Sequence, residues 1–382
     1  MRFYRLASSA ASGGIYSTLT PILALLLLAP KAYGVFSVVY LVFAFGVSLQ
    51  YSIISEAWAR ARRMQTEGNS WTDYSSALSA LSVAVGAVAL VAALVIPELN
   101  SNGWALAGAV LFALYRNGVR YYSVAEGQVI RALVSDLAGI AAFAITLIAL
   151  RDASHLLVVS VAWLAAGLVS SLVLSRPRLR WGFGLVRWSC VHVAEIRPLL
   201  LDSITMDLGA IGTPFLLAGF MGATRFGIYR AVSNVALPVR LLIDPLRPAL
   251  GRMRPQQLFV RSVTVLIASG AIALAAACYL ALTLVVPHLG FRLGTLSSLV
   301  DYAPASSVFV IGSLLGTVYY IACRTNSSQR GILTGRIVQT IVVVIMPIAG
   351  YAFFDLSGAI WGFAISSVVS AGVWIALAYS AR

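Results

Sequence analysis

The feature that most constrains this chain is a succession of apolar runs of about 20 residues, joined by short polar connections along its whole length. A helix rises about 1.5 Å per residue, so a run of that length crosses a hydrocarbon core of about 30 Å. Inside lipid, each such segment must satisfy its own backbone N–H and C=O groups, which makes it a helix. Twelve runs stand out: 7–29, 34–56, 74–96, 103–124, 131–150, 154–175, 198–220, 226–248, 260–286, 303–323, 332–352 and 356–379. The expected fold class is all-α, a polytopic integral membrane protein of about 12 transmembrane helices. Runs 34–56 and 226–248 carry charges near their C-terminal ends, so ten or eleven spans is the fallback count.

Composition excludes several function classes. The apolar set is 60% of the chain, the charged set 10%, and the mean hydropathy is +0.90. A soluble protein is nearer half apolar and a quarter charged, so a soluble enzyme, a disordered chain and a nucleic-acid-binding domain are all excluded. The net charge of +14 would ordinarily suggest nucleic acid, but here the basic residues lie between apolar runs. Lys31 is the single lysine. The arginine bias reads either as codon usage or as selection for bidentate binding of phosphate and carboxylate. Cys190, Cys278 and Cys323 are far apart and form no CxxC, which suggests neither a metal site nor a disulfide framework. Arg2 and Arg5 resemble a signal n-region, but the following run is long enough to span and has a counterpart in the second half, so it reads as a retained helix.

Basic residues set the expected orientation. With the N-terminus in the cytoplasm, 22 of the 27 fall on the inner side and 5 on the outer side: Lys31, Arg151, Arg225, Arg230 and Arg292. This asymmetry predicts an inner (plasma) membrane protein with both termini cytoplasmic and an even number of spans. The longest stretch without a span is 176–197, near the midpoint, where Arg, Trp, Phe and Val interleave. It reads as a cytoplasmic interfacial linker. The expected organisation is an N-terminal six-helix bundle over 1–175, the linker over 176–197 and a C-terminal six-helix bundle over 198–382.

Internal echoes support duplication. Thr20-Pro21 recurs as Thr213-Pro214, and Tyr33-Gly34-Val35-Phe36 as Phe226-Gly227-Ile228-Tyr229, both at an offset of 193. Arg120 and Ser123 with Gly127 recur as Arg324 and Ser327 with Gly331, at an offset of 204. An offset of six helices gives both halves the same topology, related by a pseudo-two-fold along the membrane normal.

These residues also carry a resemblance. Pro30-Lys-Ala-Tyr33-Gly34-Val-Phe36-Ser37 resembles the first hairpin of the polysaccharide flippases of the multidrug/oligosaccharidyl-lipid/polysaccharide exporter superfamily. Met206-Asp207, with Gly219, Gly222, Gly227, Tyr229 and Ala231 after it, is similar to that family's seventh span and following hairpin. Asp355-Leu-Ser-Gly358-Ala-Ile-Trp-Gly362 resembles its last hairpin. The motifs are short and degenerate, and the chain is shorter than is typical of the family. The resemblance implies a central cavity between two bundles, opening to alternate sides. It also implies export of a polyprenyl-diphosphate-linked oligosaccharide, or a related anionic lipid-linked saccharide, for cell-surface polysaccharide biosynthesis. The implied partners are that substrate, membrane lipids and polysaccharide-assembly proteins. No nucleic acid, nucleotide, metal or cofactor is expected.

Ionisable groups inside spans are costly and are therefore candidates for function. Asp207 falls near the middle of span seven. It reads either as a coupling site for a proton or cation or as a structural pair. Asp202 and Asp136 favour the structural reading. Arg116 and Arg120 lie four apart on one helix face, and Arg324 is the repeat partner of Arg120. With Arg240 they are candidates to line a cavity and hold a diphosphate, or else they anchor the inner interface. Arg240 also pairs with Asp244 at i,i+4 spacing. Pro21 and Pro214 fall at matched positions and read as hinges or as static bends. Tyr121, Tyr122, Trp181 and Trp188 read as interfacial anchors.

Three readings compete with this one: a membrane enzyme, a small-molecule antiporter, and a non-enzymatic membrane scaffold, which would not predict Asp207 inside a span or a duplicated bundle. A membrane-embedded polymerase or transferase would need convergent polar groups, yet His155, His192 and His288 have no acidic cluster nearby and there is no HExxH or GxSxG. An ATP-driven pump would need GK[ST], and Lys31 is followed by alanine. A small-molecule or multidrug antiporter of the same superfamily shares the topology. The arginine-rich inner face argues against a cationic drug as its substrate.

Overall fold

In a computed structural model the chain is described over residues 2–63, 70–175, 184–237, 239, 243, 250, 255–289, 293–326 and 329–380. Side chains are described over the same residues except 2–10, 63, 202, 255, 324–326 and 329. Arg240, Asp244, Trp181 and the first part of the expected linker, 176–183, therefore lie outside the described residues, as do the side chains of Arg324 and Asp202.

All regular structure among the described residues is helical. Helices of eight residues or more are α1 (Arg2–Leu27), α2 (Pro30–Gln50), α3 (Glu56–Arg63), α4 (Trp71–Val95), α5 (Gly103–Ala125), α6 (Val129–Ala149), α7 (His155–Leu174), α8 (Gly184–Val191) and α9 (Val193–Asp207). They continue with α10 (Thr213–Phe220), α11 (Ala223–Val235), α12 (Arg261–Leu280), α13 (Ala303–Asn326) and α14 (Gln329–Ser380). Wide π turns over Tyr51–Ser55 and Leu208–Gly212 join α2 to α3 and α9 to α10. Local chemistry sets several boundaries. Ser70 caps α4 by accepting the Asp73 N–H at 3.2 Å. α14 breaks at Phe354 and Asp355, where Asp355 adopts φ 55°, ψ −143°. It is thus two helices end to end, broken between the sequence-predicted spans 332–352 and 356–379.

Among the described residues, eight helical stretches are long and apolar enough to cross a membrane. The twelve expected spans are not all among them. Ala11–Leu27 is shorter, and the two runs in α14 count as one stretch. In α5, Arg116, Asn117 and Arg120 lower the hydropathy, and run 226–248 falls partly outside the described residues. Large apolar side chains point outward, with Val95 74%, Ile148 72% and Phe353 79% exposed. In water such a surface would aggregate; in lipid it is the solvated face.

The chain forms two compact units. Unit 1 is Met1–Ala24 with Val35–Asp207, and unit 2 is Leu25–Gly34 with Leu208–Arg382. In unit 1, α7 packs on both α5 and α6, and α4 packs on α5. Small residues line these contacts: Ala166, Gly167, Ser170 and Ser171 on α7, and Ser75, Ser79 and Ser82 on α4. Apolar burial cannot drive helices together in lipid, so close backbone approach through small residues must do so. In unit 2, α13 packs against α12 and against α14 around Val310, Val318, Cys323, Trp374 and Ala378.

Three contacts within unit 1 have counterparts within unit 2 at an offset of 204. A Cβ built on Gly108 would meet Leu164 Cδ1 at 2.9 Å, and one on Gly312 would meet Val368 N at 2.6 Å. One on Gly167 would lie 3.2 Å from Phe112 Cβ, and one on Gly316 3.7 Å from Ala371 Cα. Ser135 and Ser170 hydrogen-bond at 2.7 Å, and their counterparts Gln339 and Trp374 do so at 3.1 Å. These matched contacts fall at the same offset as one of the echoes read from the sequence.

The offset of 193 reappears within unit 2. A Cβ on Gly34 would sit 1.9 Å from Ala223 O, and one on Gly227 would sit 2.0 Å from Pro30 O. Gly34 corresponds to Gly227 and Pro30 to Ala223, so the contact is reciprocal, the pattern a two-fold makes. Only glycine allows backbone to meet backbone this closely.

Candidate functional site

The site in unit 1 is built on a carboxylate inside the helix layer. Asp136, in the second turn of α6, has 0% of its surface exposed. A carboxylate cannot stay charged there unless it is paired and hydrogen-bonded. α5 supplies the pairing. Arg116 and Arg120 lie one turn apart on the same face, and both reach Asp136. Arg116 Nη2 donates to Asp136 Oδ1, and Arg120 Nε lies 3.1 Å from Oδ2. From α1, Ser12 Oγ donates to Oδ2 at 2.7 Å. Every oxygen of the carboxylate therefore has donors.

The second layer holds Arg116 in place. Its Nε donates to Ser170 Oγ on α7 at 3.2 Å, and Ser170 Oγ meets Ser135 Oγ at 2.7 Å. The ring of Tyr16 covers the guanidinium, with the ring centre 3.7 Å from Cζ. This is cation–π distance, and the contact is stronger for being out of water. Arg116 is only 3% exposed, so it is a buried ion-pair partner rather than an interfacial anchor. Gly13 on α1 lets the Arg120 guanidinium lie against the helix, since a Cβ there would be 2.3 Å from Nη2.

Arg120 links this core to open space. Its side chain is 20% exposed and lines a cleft of about 210 Å³ with Tyr51, Asn117, Tyr121, Val124 and Ala125. The cleft wall is itself fixed. Tyr51 and Tyr121 meet edge to face with ring centres 5.9 Å apart. Asn117 Nδ2 donates to Gln50 Oε1 at 2.9 Å, and Gln50 Nε2 donates to Ser55 Oγ. Ser55 Oγ meets Tyr74 Oη at 2.7 Å, and Tyr74 Oη donates to Gly118 O at 2.8 Å. The π turn at Tyr51–Ser55 makes this network possible, because the wider turn re-aims Tyr51 and Ser55 together.

Among the described side chains this cluster holds two guanidiniums and one carboxylate, a net charge of +1. An anion entering the cleft meets Arg120 first, together with an amide and two aromatic rings. That set suits a phosphate or carboxylate attached to a sugar. Among the described residues no group of His, Cys, Asp and Glu could hold a metal ion.

The remaining sequence-predicted residues sit elsewhere. Asp207 is 6% exposed, at the last residue of α9, directly before the π turn Leu208–Gly212. Pro21 lies inside α1, a continuous helix. Pro214 is the second residue of α10, directly after that π turn and inside the continuous helical stretch Val193–Phe220. Arg324 and Arg240 are outside the described side chains. Trp188 is buried rather than an interfacial anchor: it is 3% exposed and its Nε1 donates to Ile53 O at 2.8 Å. Sequence reasoning missed the central role of Asp136 and the parts played by Ser12, Tyr16 and Ser170. The one available signal was an acid in a span with two arginines in the span before it.

No protein-family model matches the chain, and no curated protein matches it. Solved structures do. An inward-facing multidrug resistance MATE-family transporter of the MOP superfamily matches with a TM-score of 0.69 at 15% identity, over 100% of this chain and 98% of that one. The lipid II flippase MurJ, in an inward closed conformation, matches with a TM-score of 0.62 at 11% identity, over 97% and 86%. A MOP superfamily transporter from Pyrococcus furiosus, described as having a binding pocket of reverse polarity, matches with a TM-score of 0.60 at 14% identity, over 99% and 95%. At these identities the likeness is one of fold. The chain has the helical membrane fold shared by these transporters.

Proposed function

We propose that this protein is a membrane transporter that moves an anionic lipid-linked saccharide, of the polyprenyl-diphosphate type, from the inner to the outer leaflet by alternating access. The observation that carries this reading is the cluster of Arg116, Arg120 and Asp136, whose excess positive charge borders the cleft. A guanidinium beside an amide and aromatic rings recognises phosphate and sugar together. The energetics agree. With the inside negative, each negative elementary charge moved outward gains roughly 2.3 kcal/mol per 100 mV, and a diphosphate carries about two. The reading has no catalytic step and calls for no nucleotide. Its implied partners are the lipid-linked substrate, surrounding lipids and polysaccharide-assembly proteins. The basic-residue distribution supports an inner-membrane location with both termini cytoplasmic, and the echoes at offsets of 193 and 204 support duplicated halves over 1–175 and 198–382.

The fold shared with multidrug transporters favours a second reading, a small-molecule antiporter. Against a cationic substrate stands the positive cleft, where like charges repel. Proteoliposomes separate the two. The wild-type protein is expected to flip a fluorescent polyprenyl-diphosphate saccharide and to leave an organic cation untransported. Arg120→Ala is expected to lower that flux about tenfold or more, the loss of one charged hydrogen bond to the substrate, with the protein still folded. Asp207→Asn is expected to lower flux while leaving insertion intact. Cation flux that is unchanged in Arg120→Ala, with no saccharide flux, would establish the antiporter instead.

A further inference from the structure

Unit 2 repeats the packing of unit 1 at the level of the Asp136 cluster, but with different chemistry. At the offset of 204, Arg116 becomes Tyr320, Ser135 becomes Gln339, Ser170 becomes Trp374, and Asp136 becomes Thr340. The guanidinium of unit 2 comes from Arg336 on α14, where unit 1 has Ala132. Arg336 is 5% exposed. Its Nη2 donates to Tyr320 Oη at 2.5 Å and its Nη1 to Gln339 Oε1 at 3.3 Å. Tyr320 and Trp374 flank it, with ring centres 4.5 and 5.7 Å from Cζ, and meet each other edge to face at 61°. Trp374 Nε1 also donates to Gln339 Oε1, at 3.1 Å, which fixes the amide.

What is missing is a counter-ion. Among the described residues, Arg336 pairs with no carboxylate, and its buried Nε has no hydrogen-bond partner. In unit 1 the equivalent layer holds Asp136, which two arginines share. A buried guanidinium with no anion is a costly arrangement that a protein keeps when something else supplies the charge. Tyr320 and Gln339 are partly exposed, so the cluster can be reached from outside the unit. The basic-residue count also puts Arg336 near the inner end of its span, at the depth of lipid headgroups.

We propose that Arg336, Tyr320, Gln339 and Trp374 form a phosphate-binding site in unit 2. The Arg336 Nε and guanidinium edge hold the anion, while the two rings exclude water from it. The ligand is either the phosphate of an anionic phospholipid headgroup or a soluble phosphate. The proposal goes beyond the cleft of unit 1 and does not depend on the saccharide reading.

The test uses the full chain in dodecyl maltoside micelles, which carry no phosphate, alone, with added phosphatidylglycerol, or with added inorganic diphosphate, and reads the melting temperature. The wild type is expected to gain several degrees from at least one of the two additions. A gain with phosphatidylglycerol only identifies the lipid headgroup, and a gain with diphosphate identifies a soluble anion. The decisive variant is Gln339→Glu, which supplies the missing carboxylate at hydrogen-bonding distance from Arg336. It is expected to be at least as stable as the wild type in the phosphate-free micelles and to lose the gain. Arg336→Gln should lose the gain as well; if that variant does not fold, Gln339→Glu still decides. Arg151→Gln, at an exposed arginine, should keep the gain. No gain in the wild type, or an equal gain in Gln339→Glu, would overturn the site.

Discussion

Asp136→Ala is expected to destabilise unit 1 by about 3–5 kcal/mol, because it leaves Arg116 charged and buried with no counter-ion. In a unit of this size that is a fall of roughly 10 °C in melting temperature. Thermal unfolding of the detergent-solubilised protein, followed by size-exclusion chromatography, measures it. The physical cause can be isolated. Arg116→Met removes the stranded charge, so the pair Arg116→Met with Asp136→Ala should be more stable than Asp136→Ala alone. Residues in one network couple, and the double-mutant cycle should return an interaction energy well above the additive value. Asp136→Asn keeps the shape and an acceptor oxygen, so its loss should be smaller. If Asp136→Ala melts within a degree of wild type, the carboxylate does not organise unit 1.

The second large effect is expected at the reciprocal glycine contact. Gly227→Leu must push Pro30 O away from a Cβ that would otherwise lie 2.0 Å from it, and the obstruction is backbone rather than a flexible side chain. Overpacking of a tight contact costs about 1–3 kcal/mol, and a fixed backbone puts this case at or above the upper end. The hairpin at Pro30–Gly34 should therefore separate from the start of α11. The hydrogen bond between Asn234 Nδ2 and Tyr33 Oη would be lost with it. Melting temperature and flux should both fall sharply. Gly222→Ala is the control, since nothing lies within 4 Å of a Cβ there. Because one contact is formed by both glycines, Gly34→Ala with Gly227→Ala should cost less than the sum of the singles. A sum that is simply additive would show that the two positions do not share a contact.

The all-helical membrane fold was legible because a run of about 20 apolar residues leaves little choice of structure. The break between the last two spans was legible for the same reason: Phe354 and Asp355 fall in the one polar gap of that region. The number of spans was less so, since α5 carries Arg116, Asn117 and Arg120 inside a helix, where hydropathy alone argues against a crossing. The candidate site was half legible. Spacing put Arg116 and Arg120 on one face, but it could not say that Asp136 stands opposite both. That contact joins α5 to α6 and recruits Ser12 from 124 residues away, so it depends on how helices pack rather than on any local pattern. Arg336 was invisible for a related reason. In sequence it is one more basic residue near a span end, and only the packing of Tyr320 and Trp374 around it reveals that its charge is buried.

The measurement closest to the central claim is the sidedness of lipid-linked saccharides in cells lacking this protein. Polyprenyl-linked sugars would be extracted and identified by mass spectrometry. Their exposure would be read with an impermeant lectin or glycosidase added from outside. The account predicts accumulation on the cytoplasmic leaflet, relieved by the wild-type gene and not by Arg120→Ala. Accumulation on the outer leaflet, or none at all, would contradict it.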